Sequence, residues 1–491
     1  MTSIILQTFA NSKDMGLAEM SQKGQEENVP LITDREESLK LGVSKRRWVI
    51  LTISCVAIFL RGFNQSCYGP INSVFVKFLQ IQPFQVDWFI LTQSVVFLSM
   101  SLPMSWLTSR IGFRNSYLLM TSTLVIGFAL TAVGSSMRTG YISIIVGQTI
   151  MGFSNIISWS IPPPTAAIWF PTVEVATAVA LQVVGRGVGE SVGSVLTPAI
   201  VNVRQSTDTI GFRLMWVFVA FTVIAALLTL TVFLFVTDAP PLPPSEAQAK
   251  ALLEKAKTGD MQHITFAEAL IRYKTVMKDL FTDPYFVAVW FIFGAVNPVL
   301  RNNSVLLSSI LHTKFKNQTK LNSKAGLVLM GGWITYTIGG FIAGPLVTKT
   351  KKYKEIVLFS VFFECLTCLV ILIGVHFSIL LCVYIGVVAQ GLFLGMANTS
   401  LFEILIEVTY PQPTMLVTMV NIIGMGIFRL IYPIVGRELL SNIGATASTA
   451  FPLALTFASS VIVLIMRPPY KRYNAELSET TKLVGESSDR T

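Results

Sequence analysis

Trp106-Leu-Thr-Ser-Arg110-Ile-Gly112-Phe-Arg114 is a short basic turn, and its neighbours decide the fold. It separates two apolar runs, 88–107 and 116–135, each about as long as the roughly 20 residues a helix needs to cross a bilayer. A counterpart stands far along the chain. Gly344-Pro-Leu-Val-Thr-Lys349-Thr-Lys351-Lys352-Tyr-Lys354 separates apolar runs 325–347 and 356–375. Each basic turn joins the second and third apolar run of its half, which is the mark of an internal repeat.

Working outward, the first half holds runs at 48–75, 88–107, 116–135, 142–168, 175–201 and 214–236. The second holds runs at 284–311, 325–347, 356–375, 379–407, 415–439 and 447–466. Between them, 237–283 is polar and opens with Asp238-Ala-Pro-Pro-Leu-Pro-Pro, whose prolines end a helix by removing donors and fixing φ. A charged amphipathic stretch covers 245–257. The expected architecture is an all-α membrane protein of twelve transmembrane helices in two six-helix bundles, 48–236 and 284–466. A tail at 1–47, a linker at 237–283 and a tail at 467–491 complete it. Two six-helix halves joined in this way fit a repeat about the membrane normal.

Composition agrees. Of the 491 residues 52% are hydrophobic and 13% charged, against about 25% charged in a soluble protein. Mean hydropathy is +0.63. Such a chain lacks the polar groups to cover a water-facing surface, and disorder, collagen repeats and a disulfide scaffold are excluded with it. The net charge of +10 reflects loops and tails rather than a nucleic-acid surface. With both termini in the cytosol, about 24 of the Lys and Arg fall inside. Lys45-Arg46-Arg47 flanks the first span on that side. Asn317-Gln-Thr319 is then a glycosylation acceptor on the opposite side, in a loop whose lysines run against the charge rule. The N-terminus is polar up to Lys45, so no cleavable leader is expected. Glu27-Asn-Val-Pro-Leu31-Ile32 matches an acidic dileucine signal that sorting adaptors read, directing a protein to endosomes or lysosomes; the alternative is a polar tail with no address and a protein of the plasma membrane. The five cysteines lie in apolar runs, and Cys365-x-x-Cys368 reads as small hydrophobes in a helix rather than a redox or metal motif.

No nucleophile–base pair, phosphate loop or metal cluster stands out; His263, His312 and His376 lie in loops or at span ends. An enzyme is not expected, nor a cofactor or metal. The chemistry lies in ionisable residues at bilayer depth, which are costly unless they face a cavity or one another. Span one carries Arg61 with Asn64, Gln65 and Tyr68; span five carries Arg186 and Glu190. Span seven carries Arg301 with Asn297, Asn302 and Asn303; span ten carries Glu403; span eleven carries Arg429. Arg186 and Glu190 are four apart and either pair locally or serve a substrate. Four central arginines against two carboxylates favour an anionic or zwitterionic solute, since guanidinium presents a fork to carboxylate or phosphate. Glu190 or Glu403 is the candidate carrier of a coupling proton. Gly185, Gly189 and Gly193 recur every fourth residue in span five, which reads as tight packing or as a hinge. Pro162-Pro163-Pro164 breaks span four.

The two basic turns and the six-plus-six pattern resemble the major facilitator superfamily, with Ser109 where that family's turn usually has Asp. Tyr68-Gly-Pro-Ile-Asn72-Ser-Val-Phe75, Val86-Asp87-Trp88, Gly147-Gln148, Ala166-Ala-Ile-Trp169-Phe170, Glu174-Val-Ala-Thr177-Ala and Phe402-Glu403-Ile-Leu-Ile-Glu407-Val-Thr409-Tyr410-Pro411 resemble the feline leukaemia virus subgroup C receptor family. That resemblance implies a solute carrier of a kind linked to haem, choline, ethanolamine or vitamin transport; alternating access and a monomer are expected. It places Gln65 and Arg301 where choline-carrying members have a Trp and a Tyr, and Gly187 and Met425 where they have glutamines. Without aromatic faces a quaternary ammonium loses its main attraction, so choline is disfavoured. The alternative is a non-transporting receptor or sensor on the same fold.

Overall fold

A computed structural model describes residues 42–244, 265–315, 318, 320–412 and 414–471. The dileucine stretch, His263 and Asn317 lie outside them, as does the charged segment 245–257. Every regular element among the described residues is helical. In the first half these are α1 (Arg46–Ser66), α2 (Asn72–Leu79), α3 (Pro83–Ser136), α4 (Tyr141–Ser160), α5 (Pro162–Trp169), α6 (Thr172–Ile200) and α7 (Thr207–Phe235). Next comes α8 (Phe266–Thr282), a helix of the linker. The second half has α9 (Pro284–Val296), α10 (Val299–Lys314), α11 (Leu321–Thr350), α12 (Tyr353–His376), α13 (Leu380–Thr409), α14 (Thr414–Asn442) and α15 (Ala445–Ile465).

Among the described residues, ten helical segments are long and apolar enough to cross a membrane. One of them, α3, is two helices joined at Gly112, whose φ of 85° and ψ of 176° are non-helical. The chain reverses there. Val96 packs on Gly152 and Gly127 on Met151, so points on both arms meet the same turn of α4. The remaining crossing is α6, 29 residues long, whose Arg186 and Glu190 lower its hydropathy. Counting α6 and both arms of α3 accommodates the expected twelve.

Three crossings are broken. The first passes through a 3₁₀ turn, Gly69–Ile71, between α1 and α2. The fourth breaks at Ile161, immediately before the expected triple proline. The seventh breaks at Asn297-Pro298, which the sequence reading took as continuous. Pro298 has no N–H to bond backwards, so α10 starts afresh at Val299.

The glycines of α6 serve packing. A Cβ on Gly185 would meet the Cys55 carbonyl oxygen at 3.0 Å, and Gly189 and Gly193 lie closer still to the backbone of Phe59 and Phe63. α6 and α1 therefore touch backbone to backbone, as small residues allow in membrane bundles.

Gly112, Lys351 and both ends of the described chain share one end of the bundle, called the terminal end below; the other is the distal end. At the terminal end Asp238 supplies the carboxylate that Ser109 does not. Its Oδ1 accepts from the Arg114 backbone N–H at 2.9 Å, capping the second arm of α3. Ser109 instead donates to the Trp106 carbonyl of its own helix at 2.7 Å. α8 bridges the two halves at this end. Thr265 and Glu268 cap it reciprocally. Its Tyr273 hydroxyl lies 3.5 Å from Ser105 of α3 and 3.9 Å from the Met419 sulfur of α14.

Gly112→Ala should cost about 1–3 kcal/mol, because the left-handed turn disfavours any side chain. Gly344→Ala, where a Cβ meets nothing within 4 Å, should be tolerated. Unfolding midpoints of the two purified variants in detergent check this; equal midpoints would remove the strain argument for Gly112.

Candidate functional site

The break at Pro298 sets Arg301 in the first turn of α10, buried in the middle of the bundle. Its Nη2 reaches the Glu190 carboxylate of α6 at 2.5 Å, and its guanidinium lies 4.9 Å from the centre of the Trp333 ring. Glu190 is 1% exposed and Arg301 9%, so this ion pair is dry and joins one half to the other. Arg186, one turn back on α6, does not pair with Glu190. It donates to the Ser158 carbonyl and hydroxyl oxygens, each at 3.1 Å. Local pairing of Arg186 with Glu190, one of the two sequence alternatives, is therefore not what forms. The i, i+4 spacing permits that pair, but α10 delivers a partner from the other half.

Trp159, one residue before the end of α4, collects two of the arginines. Arg186 of the first half lies 4.3 Å from its ring centre and Arg429 of the second half 5.5 Å. Arg429 also reaches the Met425 sulfur at 3.4 Å. Arg61, fully buried, donates to Gln65 and Gln93. Arg61, Arg186, Arg301 and Arg429 act on one another electrostatically, with Glu190 as the carboxylate among them. Several buried polar atoms of this region lack a partner: Arg61 Nε and Nη1, Arg301 Nη1, Trp159 Nε1, Trp333 Nε1 and Asn155 Oδ1. All but the last are donors. Glu403 lies apart from this group, half-buried one turn beyond Thr399 of α13.

Behind the arginines, each half carries the same relay. In the first, Asn64 donates to Gln148 at 3.0 Å and Gln148 donates to Thr131 at 3.1 Å. In the second, Asn303 donates to Gln390 at 2.5 Å and Gln390 donates to the Cys368 sulfur at 3.2 Å. Spans one, four and three match spans seven, ten and nine, so the internal repeat extends to buried polar groups. Tyr68 joins the first relay through Asn64 at 3.2 Å and Gln148 at 2.5 Å. Asn64 and Tyr68 are fully enclosed, and Gln65 and Asn303 are buried. These four, expected to meet substrate, are hydrogen-bonded to neighbouring side chains of the bundle. The sequence reading passed over the two glutamines as relay members, although Ile145-Val-Gly-Gln148 and Val387-Val-Ala-Gln390 are alike.

Towards the distal end the halves are latched. Arg437 of α14 grips Asp87 of α3 with two bonds, at 2.6 and 2.7 Å, and Asn72 adds a third to Asp87 at 3.0 Å. Asn322 of α11 bonds Ser73 at 3.0 Å and meets His312 at 2.6 Å. Ser323 reaches the Pro198 carbonyl at 3.4 Å. On the terminal side of Glu190, by contrast, a cleft of about 170 Å³ opens between α6, α11 and α13. Ala180, Val183, Tyr336, Phe341, Asn398 and Thr399 line it, and Asn398 donates to Tyr336 at 2.8 Å. The two halves are thus tied together at the distal end, and the cleft lies on the terminal side of the central ion pair. Asp87 entered the sequence reading only through a family motif and Arg437 not at all, since both lie near span ends where charges are ordinary.

Helical halves that meet around fixed charges buried midway are the anatomy of a membrane transporter. The family model described as Major Facilitator Superfamily matches residues 54–317, more than half of the chain. The chain belongs to that superfamily and is a multi-pass membrane transporter, not an enzyme. Among curated relatives, "Choline/ethanolamine transporter FLVCR2" of Rattus norvegicus is 24% identical over 90% of this chain and 78% of its own length. "Choline/ethanolamine transporter FLVCR1" of Felis catus is 22% identical over 91% and 77%. The resemblance to that receptor family stands. Of solved structures, the D-xylose–proton symporter matches with a TM-score of 0.64 at 12% identity, covering 86% of this chain and 98% of its own. A bacterial homologue of the human lysosomal transporter Spinster, crystallised inward-facing and unoccupied, matches with 0.62 at 14%, covering 86% and 96%. Both share the fold. The receptor or sensor alternative gains no support from these relatives.

Removing one partner of the Glu190–Arg301 pair leaves a buried charge uncompensated, at a cost of roughly 3–5 kcal/mol. Glu190→Gln and Arg301→Gln should each lower abundance, and the double variant should recover it. Quantitative blotting of the three variants in membranes reads this. Unchanged abundance in both single variants would show that the pair is not structural.

Proposed function

We propose that this transporter carries an organic anion or zwitterion by alternating access, with Arg186, Arg301 and Arg429 as its grip. The observation that supports this most is the charge and polarity of the centre. Four mutually acting guanidinium groups share one carboxylate, and the unpartnered buried atoms around them are mostly donors. An acceptor-rich solute satisfies such donors; a quaternary ammonium does not, and Arg301 beside Trp333 repels it. Arg61 with Gln65 sets the field from behind, and Asn64, Tyr68 and Asn303 keep the two half-sites in register. Glu190 releases Arg301 when the substrate's own anionic group takes its place. Glu403, half-buried one turn beyond Thr399 of α13, receives a coupling proton on this reading.

Choline and ethanolamine are what the named relatives carry; the site of this chain argues for a differently charged cargo. The same reading puts both termini in the cytosol and Asn317 on the far side, supported by the Lys and Arg asymmetry. Glu27, Leu31 and Ile32 then address the protein to endosomes or lysosomes. The bilayer, the solute and sorting adaptors are its partners, and it acts as a monomer.

Thermal melting of the purified protein against a panel of small carboxylates and organic phosphates, with choline and ethanolamine in parallel, tests the reading. An anion should raise the midpoint, and Arg186→Gln or Arg429→Gln should abolish that rise. Choline raising the midpoint, with no anion doing so, would overturn it. Radiolabelled choline uptake no greater than in control cells is the matching result in transport.

A further inference from the structure

Glu364, in the middle of α12, stands alone in an apolar run of the sequence. It is fully buried, and neither carboxyl oxygen has a hydrogen-bond partner. No ion pair among the described residues includes it. The titratable groups that face it are Cys365 and Cys368 on its own helix and Tyr432 of α14. From α13 and α15, which pack on α12, the neighbours of this chamber are the Gln390 amide and the Thr456 hydroxyl, neither of them charged. An ionised carboxylate here would be an anion in hydrocarbon with no counter-charge, so the group sits as the neutral acid.

The surroundings connect it to the transport path. Cys368 lies one helical turn from Glu364 on the same face. Cys368 accepts from Gln390 at 3.2 Å, and Gln390 accepts from Asn303 at 2.5 Å. Asn303 is two residues from Arg301. A void of about 10 Å³ lies beside this chain of groups, lined by Asn302, Asn303, Cys368, Gln390, Ser448 and Thr449, room for about one water. The first half has the matching relay, yet it ends at Thr131, with Gly127 four residues earlier where the second half has Glu364. An acid therefore stands one helical turn beyond the end of one relay, not hydrogen-bonded to it, and none stands there in the other.

We propose that Glu364 is a proton-binding site that couples the conformation of the second half to pH. The proton it holds in the arrangement described above leaves to water admitted by rearrangement of α10 against α12 and α13, and the carboxylate so formed needs that water to persist. Protonation favours the dry, distally tied arrangement and deprotonation favours a wetted alternative. Mild acid stabilises the tied form and alkali opens it. The inference extends the transporter reading by naming an ion, but its first test needs no substrate.

The test is infrared difference spectroscopy of the purified full chain in lipid nanodiscs, alkaline minus acid. A C=O band of a protonated carboxyl should disappear with alkali in the wild type. One component of it should be absent from Glu364→Gln and present in both Glu190→Gln and Glu403→Gln. Fluorophores placed on the two halves at the terminal end should report a pH-dependent separation that Glu364→Gln freezes at its acid value. A wild-type spectrum without such a band, or Glu364→Gln titrating as the wild type does, overturns the proposal. If Glu364→Gln does not fold, Glu364→Asp takes its place: its band must move in frequency, and an unmoved band sinks the proposal equally. None of these outcomes depends on the anion reading, which stands or falls on the melting panel.

Discussion

The buried contact between Glu190 and Arg301 constrains the rest of the structure. A charge at bilayer depth has no water to solvate it, so each demands a partner. Here the two partners come from different halves, at 2.5 Å. For them to meet, α6 must approach α10, and α6 is brought there by glycines that lay it on the backbone of α1. α10 must in turn start at the right level, and the break at Asn297-Pro298 sets that level. Packing, helix breaks and polar relays all serve to hold two charged side chains where neither could remain alone.

The repeated relays show how two similar halves come to do different work. Asn64–Gln148–Thr131 and Asn303–Gln390–Cys368 have the same layout, and each ties an arginine-bearing segment to the helices behind it. Tyr68 and Gln93 reinforce the first relay with further hydrogen bonds. The second keeps a small void and a soft sulfur acceptor. A relay satisfied at every position is rigid, while one bordered by free volume has alternatives. The second half is on these grounds the more adaptable of the two.

Much of the fold was legible because apolar runs of bilayer length leave little choice, and the paired basic turns fixed the grouping into halves. The break at Pro162 was also legible, because three consecutive prolines end a helix. Asn297-Pro298 was not, since one proline inside a long apolar run is equally compatible with a kink. At the site, the arginines were found one by one by depth alone, but their partners were not. Arg186 and Glu190 share a helix face, so the sequence offered a local pair; the true partner of Glu190 lies 111 positions away. Asp87 and Arg437, 350 positions apart, look like ordinary interfacial charges until the fold brings them together. Glu364 was hidden by its setting, where phenylalanines, cysteines and leucines drown one carboxyl in any average.

The distal latch and the central pair place a limit on how the transporter turns over. Opening the distal end separates Asp87 from Arg437, and each is at most 5% exposed. That separation is tolerable only if water reaches both groups as they part, so the distal cavity must hydrate in step with the motion. The central pair faces the harder case, because midway between the faces neither cavity need supply water throughout. On the proposed reading, the substrate resolves this. An anion that settles on Arg301 relieves it of Glu190, and Glu190 then has Arg186, one turn away on its own helix and already within its field, as the nearest cation. The exchange keeps Glu190 and Arg301 each countered while cutting a tie between the halves. A ligand shifts a conformational equilibrium only by its difference in affinity for the two states, and here that difference has a physical source. The substrate binds best where Glu190 has let go.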